Sequence, residues 1–334
     1  MRPAFAPSPV LAGGSSLKLA GGRRGLNSLS MTNKVFVAGG TGKVGRIVVK
    51  RLLEEDWKVV AIARNETSDI ARELASMGAE VRKGDVCDLE GLKECMKGCE
   101  YVVSLVGCSP PRFVKISDLW SDPRKDANHP ANVQYQGVKN LLEASKTENV
   151  KKFVRLTGLA VGASPWNPVS ILFSLLLSFS TYWNRKGEML LRESGVDYSI
   201  IRPGGLKDVP RAREGTDKLF LASEAWGDKT PPFTTGISRA DVADLCCLSL
   251  TDKRLSRATL RVNRMRPPTA DNNYFEDPQA KSTWEELLDT VEPDKKPLEE
   301  VDYTLPVGLA ATAVAGVLGI VVGWVAKLAL SLFG

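Results

Sequence analysis

The chain has 334 residues, of which 43% are hydrophobic and 25% charged, enough to bury one α/β core of catalytic size with tails. Its net charge of +6 does not indicate nucleic-acid binding, because the first acidic residue is Glu54 and much of the excess precedes it. His129 is the only histidine and the six cysteines form no CxxC pair. We therefore expect no metal centre, no Ser-His-Asp triad, and buried thiols in a reducing compartment.

Residues 1–31 have the composition of a transit peptide. They contain basic residues, several serines and no Asp or Glu, and they lack the uninterrupted apolar core of a secretory signal. The address is therefore mitochondrial or plastid, and the small-residue opening with the Ser-Leu-Ser-Met stretch favours a plastid. A disordered tail is the alternative.

Residues 32–266 alternate between apolar strands and helices. Strand patterns occur at residues 35–38, 57–63, 80–83, 101–106, 152–156 and 198–201, and residues 43–55 have helical periodicity. This alternation predicts the α/β class, with a doubly wound and mostly parallel Rossmann sheet.

Beyond residue 266 the composition changes. Residues 267–304 are predicted to form a charged, solvated linker with a short amphipathic helix at residues 282–291. Within the last segment, residues 305–333, the twenty residues 307–326 carry no charge and are long enough to span a bilayer. We expect a single transmembrane anchor, in which the GxxxG spacing of Gly319 and Gly323 would allow association with another helix.

The strongest motif is a glycine loop that follows the first strand and opens the first helix. Glycines permit a tight turn, a close approach of the backbone to a cofactor diphosphate, and close packing of helix on strand. The N-terminus of the helix then offers N–H groups to the diphosphate. The loop predicts a dinucleotide site built from Gly39, Gly40, Thr41, Gly42, Lys43, Val44 and Gly45.

Two residues at later strand ends bear on the choice of cofactor. Arg64 stands where an NAD-preferring protein usually has an acid for the ribose 2′-hydroxyl, and an arginine suits a 2′-phosphate instead. NADP is therefore favoured over NAD, the alternative being that Arg64 is a solvated surface charge. Asp85 follows the third strand and either contacts the adenine or serves the turn.

The glycine loop, Gly84 with Asp85, residues 132–144 and the run WNRKGEMLLRESGVDYSIIRPGGL at residues 183–206 resemble the NmrA-like group of atypical short-chain dehydrogenases. The resemblance covers residues 33–265. Within the group it is closest to the dehydrogenase-like branch of the plastid import translocon, which associates with ferredoxin–NADP reductase. The Pro/Ser-rich repeats that bind that reductase do not occur here, so this partner is not implied.

The resemblance implies a catalytic set. Tyr182 and Lys186 form a YxxxK, a spacing that puts both side chains on one helix face. In the family the lysine holds the nicotinamide ribose, and the tyrosine transfers the proton that accompanies hydride transfer. Gly158 falls where the partner serine is expected, and Thr157 is the nearest substitute.

Two further segments adjoin this set. Pro203 and Gly204 end the sixth strand, where the family lays its backbone beside the nicotinamide, although a simple turn is the alternative. Residues 169–179 are apolar but too short to span a bilayer. They could cover a substrate site, lie at a membrane interface or pack in the core.

These features favour an NADP(H)-dependent oxidoreductase that acts on a hydrophobic small molecule, of a kind that can reside in a membrane. It would be anchored at a thylakoid or inner-envelope membrane, with the cofactor domain in the stroma. The alternative is a non-catalytic, NADP(H)-sensing scaffold that docks a partner protein at the plastid membrane. The missing serine keeps both functions open.

Overall fold

Apolar strands and amphipathic helices alternate along the computed structural model. The strands are β1 (Lys34–Ala38), β2 (Lys58–Ala63), β3 (Glu80–Lys83), β4 (Tyr101–Ser104), β5 (Lys152–Leu156), β6 (Tyr198–Pro203), β7 (Leu206–Lys207), β8 (Lys218–Ser223), β9 (Ile237–Ser238) and β10 (Ala258–Met265). The helices are α1 (Lys43–Glu54), α2 (Asp69–Ser76), α3 (Leu89–Met96), α4 (Gly137–Thr147), α5 (Pro168–Leu176), α6 (Ser180–Glu193), α7 (Arg239–Thr251) and α8 (Glu285–Leu288).

The structure describes only part of the chain. The described residues are 33–108, 122, 125–215, 217–224, 236–265, 281–295, 297–301, 305, 308, 309 and 312. The expected transit peptide lies outside them, as do nearly all of residues 305–333 with Gly319 and Gly323. Among the described residues, no helix combines the length and the apolar character that crossing a membrane requires. The anchor therefore stays a prediction.

Within the described residues, eight strands form one sheet in the order β3-β2-β1-β4-β5-β6-β10-β8. Central strands such as β1 and β2 are apolar on both faces because helices cover both sides of a parallel sheet. The predicted doubly wound, mostly parallel sheet is confirmed, with one addition: β8 pairs antiparallel with β10. Strand order reverses between β1 and β4, and this switch point opens a crevice beyond the carboxyl ends of the strands.

The helices bury apolar residues in two large clusters. One joins the sheet to α1 and α7 through residues such as Leu52 and Leu245, and the other joins it to α3, α4 and α6 through residues such as Leu141 and Leu191. Four of the six cysteines are buried as expected, namely Cys95, Cys99, Cys246 and Cys247, whereas Cys87 is exposed and Cys108 half-buried. Burial raises the pKa of Cys99 to about 11, so this thiol stays protonated.

The segment after residue 281 is not the solvated linker that the sequence predicts. Trp284, Leu287 and Leu288 are at most 4% exposed and belong to the same buried cluster as α1 and α7. The Trp284 indole N–H donates to the Asp241 carbonyl at 2.8 Å. A short amphipathic helix is marginal alone in water, so its apolar side packs onto the domain. The Rossmann unit therefore extends beyond residue 266.

Candidate functional site

The glycine loop brings β1, α1 and the end of β4 into direct backbone contact. Gly39 has φ +86°, and a Cβ there would lie 2.8 Å from the Leu105 carbonyl oxygen. A Cβ on Gly45 would lie only 2.1 Å from the Gly39 carbonyl oxygen. The loop closes with a hydrogen bond from the Gly42 N–H to the Gly39 carbonyl at 3.0 Å. Glycine is therefore needed at both ends of the loop for close approach of the backbone.

The N-terminus of α1 fits an anion. Gly42 caps this helix without a side-chain hydrogen bond, and its first turn contains no acidic residue. No side chain of the first turn therefore competes with an anion for the N–H groups there. These N–H groups lie at the positive end of the helix dipole. Lys43 is exposed and pairs with Asp208 at 3.8 Å. Val44 is buried in the core, so its part in the loop is packing.

A cavity of about 340 Å³ lies against this loop. Gly39, Thr41 and Gly42 form one wall, and Arg64 and Asp85 from the ends of β2 and β3 belong to the lining. Gly40 and Gly45 are buried and are not part of that lining. A glycine-walled cavity at a helix N-terminus and a sheet switch point suits the diphosphate and adenosine half of a dinucleotide.

Asp85 has the turn role that the sequence leaves open, and its contact with the adenine stays a prediction. Its Oδ1 accepts the Cys87 backbone N–H at 2.9 Å, which confirms the turn role. The same residue lines the cavity and is therefore placed to meet a ligand. Partial desolvation of the sulfur atom, with the Asp85 carboxylate adding to it, raises the pKa of the Cys87 thiol to about 11, although the residue as a whole is exposed.

A second cavity of about 500 Å³ adjoins the first and shares Gly107 and Cys108 with it. Its polar lining comes from Gln134, Thr157, Ser180, Thr181 and Asn184, and its apolar lining from Pro130, Ala160, Val161, Leu177 and Leu206. The two cavities together form an elongated site along the carboxyl ends of the strands. That is the shape an extended dinucleotide and a neighbouring substrate require.

Thr157 lines the second cavity, but its hydroxyl donates its hydrogen bond to a buried ion pair. Its hydroxyl donates to Glu188 Oε1 at 2.6 Å. Glu188 is fully buried and accepts from Arg202 Nη2 at 2.6 Å, and Arg202 also pairs with Glu224 at 3.0 Å. Because the hydroxyl hydrogen is directed at Glu188, Thr157 presents oxygen lone pairs to the cavity.

Tyr182 and Lys186 share a helix face as the YxxxK spacing predicts, but that face is not the one that lines the cavities. The Lys186 Nζ lies 5.5 Å from the centre of the Tyr182 ring and pairs with Glu300 Oε1 at 2.6 Å. The hydrogen bond with Glu300 raises the pKa of Lys186. Neither residue is in the lining of either cavity. Their assignment to cofactor and proton transfer stays a prediction that this geometry does not favour.

The end of β6 also differs from expectation. Pro203 pairs with Val262 of β10, and the Gly204 N–H donates to the Val262 carbonyl at 2.9 Å. A Cβ on Gly204 would lie 2.7 Å from Asn263 Oδ1. Both residues are thus packed against β10 and are not in the cavity lining, whereas Leu206 is.

Of the three roles left open for the apolar residues 169–179, the structure supports the cover over the second cavity. Ser170 and Ser174 of α5 are buried, and Leu177 lines the second cavity. On the other side of α5, Leu172 is 53% and Leu176 46% exposed. The segment therefore covers the cavity and also presents an apolar surface to solvent.

Sequence reasoning missed the polar residues of α6 that line the second cavity. Ser180, Thr181 and Asn184 face it, and Glu188 continues the same helix face into the buried ion pair. Thr181, Asn184 and Glu188 stand at i, i+3 and i+7, the spacing of one helix face. This spacing can be read from the sequence, but polar residues at helical spacing usually indicate a solvent-exposed face. The YxxxK of Tyr182 and Lys186 on the same helix is the better-known motif and is the one that the sequence favours.

Comparisons with known proteins agree with this site. An NAD(P)H-binding family matches residues 39–253. An uncharacterized chloroplastic protein of Arabidopsis thaliana is 31% identical over 232 residues, 65% of this chain and 65% of that protein. Protein TIC 62, chloroplastic, of Pisum sativum is 28% identical over 67% of this chain and 41% of its own length. Sanguinarine reductase of Eschscholzia californica is 28% identical over 65% of this chain and 83% of its own length.

The chain thus spans less than two thirds of the length of the first two relatives. The resemblance to the plastid translocon branch is confirmed by the similarity to TIC 62. The family match covers the glycine loop, both cavities and the buried ion pair beneath them. The chain belongs to the NAD(P)H-binding family.

Proposed function

We propose that the protein is an NADP(H)-dependent reductase of a hydrophobic small molecule. The observation that carries this proposal is the joined pair of cavities. The first has the glycine wall and helix N-terminus that suit a dinucleotide, and the second is walled by Ala160, Val161, Leu177 and Leu206. Sanguinarine reductase, which is similar along most of its length, supports a reductase assignment.

The second cavity suits an apolar acceptor. A bound NADPH supplies a hydride. The apolar walls exclude water and bind the acceptor by burial, at about 25 cal/mol per Å² of apolar surface removed from water. Thr157 Oγ1 accepts a hydrogen bond from a ligand hydroxyl while its own O–H continues to donate to Glu188 Oε1.

The test is consumption of NADPH by the full chain in the presence of quinones and plastid lipids, aerobically and anaerobically. Ala160→Trp should fill the second cavity and abolish turnover, because Ala160 lines that cavity and not the first. It should leave the affinity for adenosine 2′,5′-bisphosphate, which needs only the first cavity, unchanged. If neither the parent chain nor the variant oxidises NADPH with any acceptor, the reductase proposal fails.

Arg64 carries the proposed preference for NADP(H). It is exposed at the end of β2 and lines the first cavity, where a guanidinium can make two hydrogen bonds to a 2′-phosphate. Arg64→Ala is expected to weaken NADPH binding about tenfold or more while changing NADH binding little, since charge-assisted hydrogen bonds contribute about 1.5–3 kcal/mol. Calorimetric titration with both cofactors checks this. Equal affinity of the parent chain for NADPH and NADH would contradict it.

A non-catalytic sensor is the second candidate. It is favoured by the position of Tyr182 and Lys186 outside the cavity linings and by the commitment of the Thr157 hydroxyl to Glu188. A sensor would bind NADPH and NADP⁺ with different affinities, show no turnover, and bind a partner protein in only one cofactor state. A pull-down from stroma with each cofactor state separates it from a reductase.

We propose that the protein acts in a plastid, anchored through residues 305–333 with the cofactor domain in the stroma. The chloroplastic relatives and the uncharged run at residues 307–326 support this. Deleting residues 305–334 should release the protein from membranes and leave NADPH affinity unchanged. The measurement is carbonate extraction of plastid membranes. Full-length protein that washes off with carbonate would contradict the anchor.

A further inference from the structure

Arg155 is a buried cation whose hydrogen-bond acceptors among the described residues are neutral groups, and the charge of Glu188 also acts on it. It lies on β5 with 0% exposure. Its guanidinium donates to the Ser104 hydroxyl at 3.3 Å, the Gln134 carbonyl at 3.1 Å and Asn184 Oδ1 at 2.9 Å. Burial lowers the pKa of Arg155 to about 10, still far above neutrality, so the group is charged. Burying a charge costs desolvation free energy. The N–H groups of Arg155 offset part of this cost by donating to neutral acceptors next to the second cavity.

The contact with Arg155 determines the orientation of the Asn184 amide. A guanidinium has only donors, so the amide atom that faces it must be the oxygen. The Nδ2 group, with its two N–H bonds, is consequently turned away from Arg155. Asn184 lines the second cavity, so these N–H bonds are available to a ligand there.

The backbone holds this arrangement in place. A Cβ on Gly187 would lie 2.5 Å from the Gln134 carbonyl oxygen and 3.3 Å from Arg155 Nη2. Glycine at this position lets α6 approach β5 closely enough for Asn184 to reach the guanidinium. The amide is therefore fixed before any ligand binds, and little conformational entropy remains to be lost on binding.

Thr157 supplies the complementary group in the same cavity. Its oxygen accepts, as its hydrogen is directed at Glu188, whereas Asn184 donates. A ligand carrying neighbouring hydroxyls can satisfy both. Because the second cavity continues from the dinucleotide cavity at Gly107 and Cys108, the ribose of the nicotinamide half is the hydroxyl-bearing group that would enter first.

We propose that Asn184 binds the nicotinamide riboside half of the cofactor, with Nδ2 donating to a ribose hydroxyl oxygen, and that Arg155 is the positioning residue that orients it. The proposal rests on the proposed NADP(H) function. The sequence pattern favours Lys186 for the ribose contact, but Lys186 pairs with Glu300 and is not in the cavity lining. The proposal assigns that contact to Asn184, which is two residues earlier and lies on the face of α6 that lines the cavity.

The test uses Asn184→Asp in the full chain. An aspartate still accepts from Arg155 and gains an ion pair with it, so the fold is preserved, but it has no N–H to donate. Affinity is measured by calorimetry for NADPH and for adenosine 2′,5′-bisphosphate, which lacks the nicotinamide riboside. We expect NADPH to bind about three- to tenfold more weakly, the loss of one neutral hydrogen bond, and adenosine 2′,5′-bisphosphate to bind unchanged.

Glu193→Gln, at the exposed end of α6, is the matched control and should change neither affinity. Equal loss of both ligands by Asn184→Asp, or loss of neither, would overturn the proposal. So would weaker NADPH binding in Lys186→Met together with normal binding in Asn184→Asp. These are binding measurements, so they separate this proposal from the reductase function: a chain that turns over no acceptor can still show the expected pattern.

Discussion

Substituting Gly45 by alanine is expected to abolish NADPH binding. The new Cβ would sit 2.1 Å from the Gly39 carbonyl oxygen and 2.7 Å from the Gly40 Cα, both of which are backbone atoms. No rotamer change relieves such a clash, so α1 must move away from the loop. That movement withdraws the helix N-terminus from the diphosphate position. We expect at least a hundredfold loss of affinity by calorimetry, and overpacking should also lower stability by about 1–3 kcal/mol.

Gly215→Ala is the matched control. Of the atoms of described residues, a Cβ there would meet only Arg264 Nη2, at 4.0 Å, and Gly215 lines neither cavity. Its affinity for NADPH and its unfolding midpoint should equal those of the parent chain. Unchanged NADPH affinity in Gly45→Ala would show that the loop does not hold the cofactor as proposed.

Replacing Glu188 by alanine should cause the largest loss of stability. Glu188 and Arg202 are both 0% exposed, and they are joined by a 2.6 Å contact. Removing the carboxylate leaves Arg202 with the half-exposed Glu224 alone and takes the acceptor from Thr157. Breaking a buried pair in this way costs about 3–5 kcal/mol. Urea denaturation followed by circular dichroism measures the free energy of unfolding.

Glu90→Ala gives the comparison with a surface pair. The Glu90 carboxylate is 80% exposed and contacts Lys93 at 2.8 Å across one helical turn. Solvent screens such pairs, so this variant should unfold at nearly the parent urea concentration. A loss in Glu188→Ala no greater than that in Glu90→Ala would mean that the buried pair does not stabilise the fold.

The dinucleotide half of the site could be predicted from the sequence because its determinants are local. Gly42 and Gly45 both lie against Gly39 within seven residues of chain, so their spacing alone implies the tight turn. Arg64 follows its strand directly, and strand ends converge at one edge of a parallel sheet. The positions of the glycines and of Arg64 therefore follow from residues close together in the sequence.

The nicotinamide half could not be predicted in this way because it depends on the rotation of α6 about its own axis. Helical periodicity puts Tyr182 with Lys186, and separately Thr181 with Asn184, but it does not say which pair faces the cavity. The buried contacts of Glu188 with Arg202 and of Asn184 with Arg155 set that rotation. These partners lie on β5 and β6, 29 and 14 residues away along the chain, and their positions follow from strand packing and not from helical periodicity.

By itself, the sequence thus determined the α/β class, the parallel sheet and the glycine loop, since each follows from the period of apolar residues or from glycine spacing. Only the tertiary structure decided that β8 runs antiparallel at the edge and that Trp284, Leu287 and Leu288 complete the core. It also decided that Asn184, and not Lys186, reaches the second cavity. The physical reason is the same in each case. Local sequence patterns allow several strand directions and helix orientations, and the burial of side chains from separate segments against one another selects one of them.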